Sequence, residues 1–391
     1  AALRSRSGAS ASLARSSASG VAADRSATSR RFSITISASV LAAMAFIVAA
    51  PATQVAAQTL PASDNASAEP APVDRDGPTI RERIEGMQDL EVRQAFGEIR
   101  ENWTEVVIVL SVVIVLFLAV SGVLRPGGFT KNGIRDVKGY PAAIWLFAGG
   151  LVILAQPAAM DFLASVTSIV GDPEQTPVAS EIRLIAASYG VACIVAIGMT
   201  IVMAVGVGNA GLKVGPLDLL TGIGCLLVAM PLVQLAAIGA AAAYRQFAQA
   251  EPPAIGHETL QFIADNRDHE LMWLLILTVV VGAAVVEEVV FRVGLQGSIL
   301  KMTGSPWAAI IGTSVIFAGL HFSMVPPEAR DAAYVPLSQL FMLSLALGVA
   351  FERTKRVGVP MVMHMAFNGI TIAAALSLIE PASTGAAAFG N

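Results

Sequence analysis

Two adjacent carboxylates and a guanidinium stand within an apolar run, A-A-V-V-E-E-V-V-F-R, from Ala283 to Arg292. Farther on, His321 closes F-A-G-L-H four residues after Phe317, and His364 opens H-M-A-F-N with Asn368 four residues on. A glutamate, two imidazoles and a carboxamide in one dry pocket are parts for hydrolysis. Glu287 could act as general base on water, since burial raises a carboxyl pKa toward working pH. His321 could share that proton traffic or bind a metal. His364 and Asn368 could donate hydrogen bonds to a developing oxyanion, an effect worth roughly 3–4 kcal/mol in other hydrolases. Spacing of i, i+4 puts His364 and Asn368 on one helix face, and suits Glu288 and Arg292 to an intrahelical pair. Glu287 lies about 100° round the helix from Glu288 and is free to point elsewhere.

Singly, each residue has a plainer role. A Glu–Arg pair in a helix bundle is more often structural than catalytic. A membrane histidine is often a packing residue, and an Asn in a span is commonly interhelical glue. The joint case is stronger, because both histidines outside the polar loops fall in the set. The other two, His257 and His269, lie in an acidic polar loop and are expected to be solvated.

The elements that must position these groups are membrane helices. From Leu271 to Val290 the sequence is nearly all Leu, Ile, Val, Ala and Gly, enough to span a hydrocarbon core of ~30 Å. A charge there costs roughly 2.5–3.5 kcal/mol on insertion scales, so ionisable residues in such a helix point to function. The whole chain fits this setting: 391 residues are 55% hydrophobic and only 14% charged, with mean hydropathy +0.67. Soluble domains carry about 25% charged residues. The fold class expected is all-α, a polytopic transmembrane bundle of about eight spans after an N-terminal signal segment. Cys193 and Cys225 both lie in apolar runs and read as buried thiols, neither a disulfide framework nor a zinc signature. Nothing resembles a nucleotide-binding loop or a nucleic-acid-binding surface.

In order, residues 1–57 read as a signal or targeting segment. Six arginines and one acid, Asp24, precede the apolar stretch Ser33 to Ala50, and Val55-Ala56-Ala57 has the pattern of a cleavage site. An organellar transit peptide shares the Arg- and Ser-rich composition and stays the alternative. Residues 58–104 read as a polar linker followed by a charged, amphipathic helix with Val92, Phe96, Ile99 and Trp103 in helical register. Spans are expected at 106–124, 140–157 (or on to about 170), 183–207, 217–240, 271–290, 305–321, 336–352 and 358–379, grouped as an N-terminal set (105–245) and a catalytic core (271–379), with a tail at 380–391. The loops 125–138, 208–216, 291–304 and 353–357 are basic, with Arg292 counted in the third, and the alternate loops are acidic or mixed. Basic loops face the cytoplasm, which places both ends of the mature chain outside and implies access to the site from the cytoplasmic side.

Gly304 is a natural turn between spans five and six. Glu287 lies 17 residues before it and His321 17 after it, so an antiparallel hairpin would put the two level. His364 is only about eight residues past the 353–357 loop. The three share one depth only if the 302–305 tip projects well beyond that loop, or if a helix breaks near Gly294.

E-E-x-x-x-R (Glu287, Glu288, Arg292), F-x-x-x-H (Phe317, His321) and H-x-x-x-N (His364, Asn368), in this order, resemble the three motifs of the CAAX protease and bacteriocin-processing (CPBP, or Abi) family, intramembrane endopeptidases that include the type II CAAX prenyl proteases. L-G-V-A-F-E-R-T, Leu347 to Thr354, is also similar to that family's pattern. Val293 departs from it, standing where the family most often has Gly. The resemblance covers about 271–379. It implies Glu287 as the water-activating base with His321 assisting, His364 and Asn368 as the oxyanion site, and Glu288, Arg292 and Phe317 as support. It also implies either no cofactor or a zinc ion held by Glu287, His321 and His364, which lack the HExxH spacing.

The partners expected are a membrane-embedded or membrane-anchored peptide substrate and the lipid bilayer, with no nucleic acid. The setting expected is a bacterial cell membrane, where a maturation or immunity role fits better than prenylated substrates. Two other classes stay open: a non-catalytic scaffold or immunity-type protein of the same fold, and a proton-coupled carrier, although the paired broken helices of a carrier are not visible.

Overall fold

In a bilayer every backbone polar group must find its partner within the protein, so long apolar runs become helices. The computed structural model describes residues 102–377, apart from 125–128, 130–132, 167–170, 172–175, 208–209 and 254–255. The signal segment at 1–57, nearly all of 58–104 and the tail at 380–391 lie outside the described residues. Among those described there is no strand, and eight helices are long and apolar enough to cross a membrane. The chain is an integral membrane protein.

The helices are α1 (Trp103–Val120), α2 (Ala142–Ala164), α3 (Pro177–Gly206), α4 (Leu217–Ala248), the short α5 (Glu258–Asp265), α6 (Met272–Thr303), α7 (Pro306–Leu320), α8 (Tyr334–Thr354) and α9 (Gly358–Ser377). All but α5 are candidate spans. Their outer faces stay apolar: α1 buries Trp103, Val107, Ser111 and Ile114 at helical spacing while Val109, Leu116 and Phe117 remain exposed. Such a helix has no polar face to give to water, as a lipid-facing span requires.

α6 is longer than the sequence suggests. It runs past Val290 to Thr303 instead of ending there, so Arg292 is not a loop cation. It is fully buried within the helix. Two π-helical segments, Thr278–Ala283 and Val289–Leu295, flank the α-helical turn Ala284–Glu288 that carries both glutamates. Such π segments are rare and frequent at functional sites. In the second, the backbones of α6 and α2 nearly touch: a Cβ on Gly294 would lie 2.7 Å from the Cα of Gly149. The close approach is thus made one residue after Val293, which is itself buried in the core.

Gly304, at φ +67°, ends α6 in the left-handed conformation that glycine adopts without strain. Ser305 then caps α7, accepting from the Ala308 N–H, with Pro306 in the first helical position. This hairpin settles the question of depth. Gln296 donates to Glu352 Oε1 at 2.9 Å, so that point of α6 is level with the end of α8. Gly304, eight residues on, projects about 12 Å further. The 15 residues of α7 return about 22 Å, leaving His321 about 10 Å below that level. His364, six residues into α9, lies about 9 Å below it. No helix break near Gly294 is needed.

At the end of the bundle that carries the basic turns, arginines tie the helices together. Arg135, 2% exposed, donates from Nε to Glu352 Oε1 at 3.0 Å and from Nη1 to the Ala210 carbonyl at 3.0 Å, with its guanidinium 4.0 Å from the Phe351 ring centroid. Arg356 pairs with Asp218, and Arg353 donates to the carbonyls of Gly122 and Val123. This end is the cytoplasmic one by the charge argument. His257 and His321, which lie near Glu287, come from the opposite end.

Glu352→Ala leaves the Arg135 guanidinium buried without its carboxylate. It is expected to cost about 3–5 kcal/mol, read as a lowered thermal midpoint of the full chain in detergent.

Candidate active site

Glu288 has no exposure at all and uses both its oxygens. Oε2 accepts from Arg292 Nε at 2.9 Å, one turn along α6, and Oε1 accepts from His364 Nδ1 on α9 at 3.0 Å. Arg292 Nη1 reaches Ser344 on α8 at 3.1 Å, and its guanidinium lies 5.6 Å from the Phe317 ring centroid. One ion pair thus binds α6, α8 and α9 together and turns the His364 ring by its Nδ1.

His321 begins the 3-10 turn that follows α7, and its Nδ1 lies 2.8 Å from the Phe317 carbonyl. A carbonyl only accepts, so that nitrogen carries a proton. Both imidazoles therefore commit Nδ1 to a fixed acceptor and leave Nε2 for other work. Each Nε2 faces Glu287: Oε2 is 3.8 Å from His321 Nε2 and 3.7 Å from His364 Nε2. That oxygen is buried and has no hydrogen-bond partner in the protein. Separations just beyond a direct bond are the range in which a water bridges polar groups. Phe317, fully buried, walls the pocket, its ring centroid 4.5 Å from that of His321 and 6.0 Å from that of His364.

Asn368 sits one turn beyond His364, and its Nδ2 donates to the Val279 carbonyl at 3.0 Å. Val279 lies in the first π segment, where departure from the i, i+4 ladder makes carbonyls available to side chains. One amide N–H of Asn368 is thus engaged and the other remains. Glu287, Glu288, Arg292, Phe317, His321 and His364 converge directly, and Asn368 anchors the same helix against α6.

Zinc prefers ligands of these types at about 2.0–2.2 Å, which sets ligand atoms about 3.3 Å apart in a tetrahedron. Among the described residues no group of three or more His, Cys, Asp or Glu side chains is placed to hold a metal ion. The side chains as they stand do not fit one.

Residues 269–370 match a family model, Type II CAAX prenyl endopeptidase Rce1-like. The matched stretch runs from the start of α6 into α9 and contains Glu287, Glu288, Arg292, Phe317, His321, His364 and Asn368. No curated protein and no solved structure matches the chain. The Rce1-like match supports a protease of the intramembrane CAAX type and agrees with the motif resemblance over the same helices.

The matched stretch does not include His257, which the structure nonetheless brings to this pocket. Its ring centroid is 6.4 Å from that of His321, and it is half-buried rather than solvated. Its Nδ1 accepts from the Thr259 N–H at 3.2 Å, capping α5. His269 Nδ1 accepts from the Leu271 N–H at 3.2 Å, in the turn just ahead of α6. Neither role is legible in the sequence, because histidine is no favoured cap residue and the loop is acidic on both sides.

Burial, and then the neighbouring His321, push the His257 pKa from 6.5 down to about 4. The unfolded chain therefore takes up a proton at higher pH than the folded one, so stability falls as pH drops from about 6.5 to about 4 and is flat below that. Thermal unfolding in detergent across that window should show this loss in the wild type and a smaller one in His257→Asn, which keeps a capping side chain.

Proposed function

We propose that this protein is an intramembrane endopeptidase that hydrolyses a peptide bond near the membrane surface with a water activated by Glu287. The observation that carries this reading is the buried, unpartnered Glu287 Oε2 facing two imidazole Nε2 atoms at 3.7 and 3.8 Å. With Nδ1 committed on both rings, neutral His321 and the Glu287 carboxylate present two acceptors to one point, and the His364 imidazolium, paired with Glu288, presents an Nε2–H donor. That arrangement holds a water by its two protons.

In the reaction Glu287 takes one proton of the water, whose oxygen bonds to the scissile carbonyl carbon. The oxyanion accepts from the second N–H of Asn368 and from a proton on His364 Nε2, with Glu288 holding that ring at Nδ1. As the C–N bond breaks, the proton returns from Glu287 to the leaving nitrogen, with His321 as relay. Glu288 and Arg292 keep the helices in register, and Phe317 keeps the pocket dry. Glu288, saturated on both oxygens, is not the base.

The substrate class is a membrane-embedded or membrane-anchored peptide. Access is from the cytoplasmic side, the face that the basic loops mark. The chain belongs in a bacterial cell membrane by this reading, on the strength of the apolar stretch 33–50 and the small residues 55–57 after it. The spacing of Glu287, His321 and His364 favours catalysis without a resident metal.

Cleavage of a membrane-tethered reporter tests the proposal. Glu287→Gln should lower the rate at least about 100-fold, the lower range for loss of a general base, with the fold intact by thermal midpoint. Processing equal to wild type would sink it, and solute flux without cleavage would favour a carrier. Reporter cleavage by the wild type should also survive exhaustive treatment with a zinc chelator. Loss of activity restored by added zinc would show that the side chains close around a metal when substrate binds.

A further inference from the structure

His257 stands beside the reacting atoms, and the mechanism above gives it nothing to do. Its position is built rather than incidental. α4 ends at Ala248, with Gln249 as its left-handed C-cap. Gly256 packs so closely on α8 that a Cβ there would lie 3.1 Å from the Pro336 ring, a contact tight enough to favour glycine. On the other side, α5 is pinned through Ile263, fully buried with Ile182, Met272, Leu275 and Ile372. His257 is held between these two anchors, with its ring tilted 52° to that of His321.

The tautomer is fixed as well. Since Nδ1 accepts the Thr259 N–H, the neutral ring carries its proton on Nε2. We propose that His257 is a substrate-contacting residue of this site, donating from Nε2 to a backbone carbonyl of the bound peptide beside the scissile bond. Such a contact reads main chain, so it orients peptides of many sequences. The low pKa that burial gives His257 keeps the ring neutral at working pH, and a neutral donor adds no charge next to His321. The proposal rests on the peptidase reading above.

Two amide variants divide the capping role from the donating one. In His257→Asn the short amide reproduces the position of Nδ1 and keeps the cap, while the donor at the Nε2 position is lost. In His257→Gln the longer amide reproduces the Nε2 donor and gives up the cap. Both are measured, as full-length chain reconstituted in vesicles, for kcat and KM on the tethered reporter, with thermal midpoints and with Glu287→Gln alongside. The expected result is a KM about tenfold higher for His257→Asn, the worth of about one hydrogen bond, at an unchanged midpoint. His257→Gln should stay near the wild-type KM with a lowered midpoint. A KM for His257→Asn equal to or below that of His257→Gln overturns the proposal and leaves His257 as a cap. If Glu287→Gln cleaves as fast as the wild type, the peptidase reading itself fails and takes this one with it. Loss of cleavage in Glu287→Gln with equal KM values in the two His257 variants removes the substrate contact alone.

Discussion

The structure depends on where a carboxylate at membrane depth finds its partners. Glu288 has no water to solvate it, and the effective cost of such burial is several kcal/mol per ion unless pairing and hydrogen bonds offset it. Arg292 supplies the charge from the same helix, one turn away. That leaves one oxygen of Glu288 and the outer nitrogens of Arg292 to be satisfied by other helices. His364 on α9 takes the first and Ser344 on α8 takes one of the second. A local pair thereby becomes a three-helix clamp, and the energy that forbids a lone charge fixes the orientation of an imidazole.

A second buried cluster does the same at the end with the basic turns. Arg135 comes from the segment between α1 and α2, Glu352 from α8 and Gln296 from α6. The N-terminal helices carry no motif, yet they brace the catalytic ones through such contacts and through the Gly149–Gly294 crossing. The arginines of these turns therefore serve two purposes. Arg and Lys counts set orientation largely regardless of nearby acids, so pairing Arg135 with Glu352 and Arg356 with Asp218 leaves the topology signal in place. What it adds is bracing, since each pair ties a turn to a helix far from it in sequence.

Helix number, the i, i+4 pairs and the Gly304 turn were legible because each depends on local rules: span length, helix periodicity, glycine at positive φ. The reach of α6 beyond Val290 was not, because Arg292 looks like a loop cation until its burial against Glu288 and Ser344 is known. The π segments have no signature in residue type; they emerge where α6 meets α2 at Gly294 and where Asn368 draws on the Val279 carbonyl. His257 was misread for a related reason. It sits among acids in a polar stretch, and only tertiary anchors at Gly256 and Ile263 turn that stretch inward. The oxygen that Glu287 leaves unpartnered is likewise invisible in sequence, where the two glutamates are interchangeable.

That asymmetry explains why two adjacent glutamates suit the site. Neighbours on a helix diverge by about 100°, so the pair cannot share one environment. Glu288 turns to the interior and is saturated by Arg292 and His364. A base so bound would have to break strong charge-assisted bonds before it could accept a proton. Glu287 turns toward the end of α7, where its side chain keeps 22% exposure and one oxygen lies free between two imidazoles. Removing a hydrogen-bond partner from a buried acceptor costs about 1–3 kcal/mol. The fold tolerates that cost at one oxygen because the neighbouring carboxylate already secures the helices. The structural charge and the reactive one are thus separated by a single residue, and the first makes the second possible.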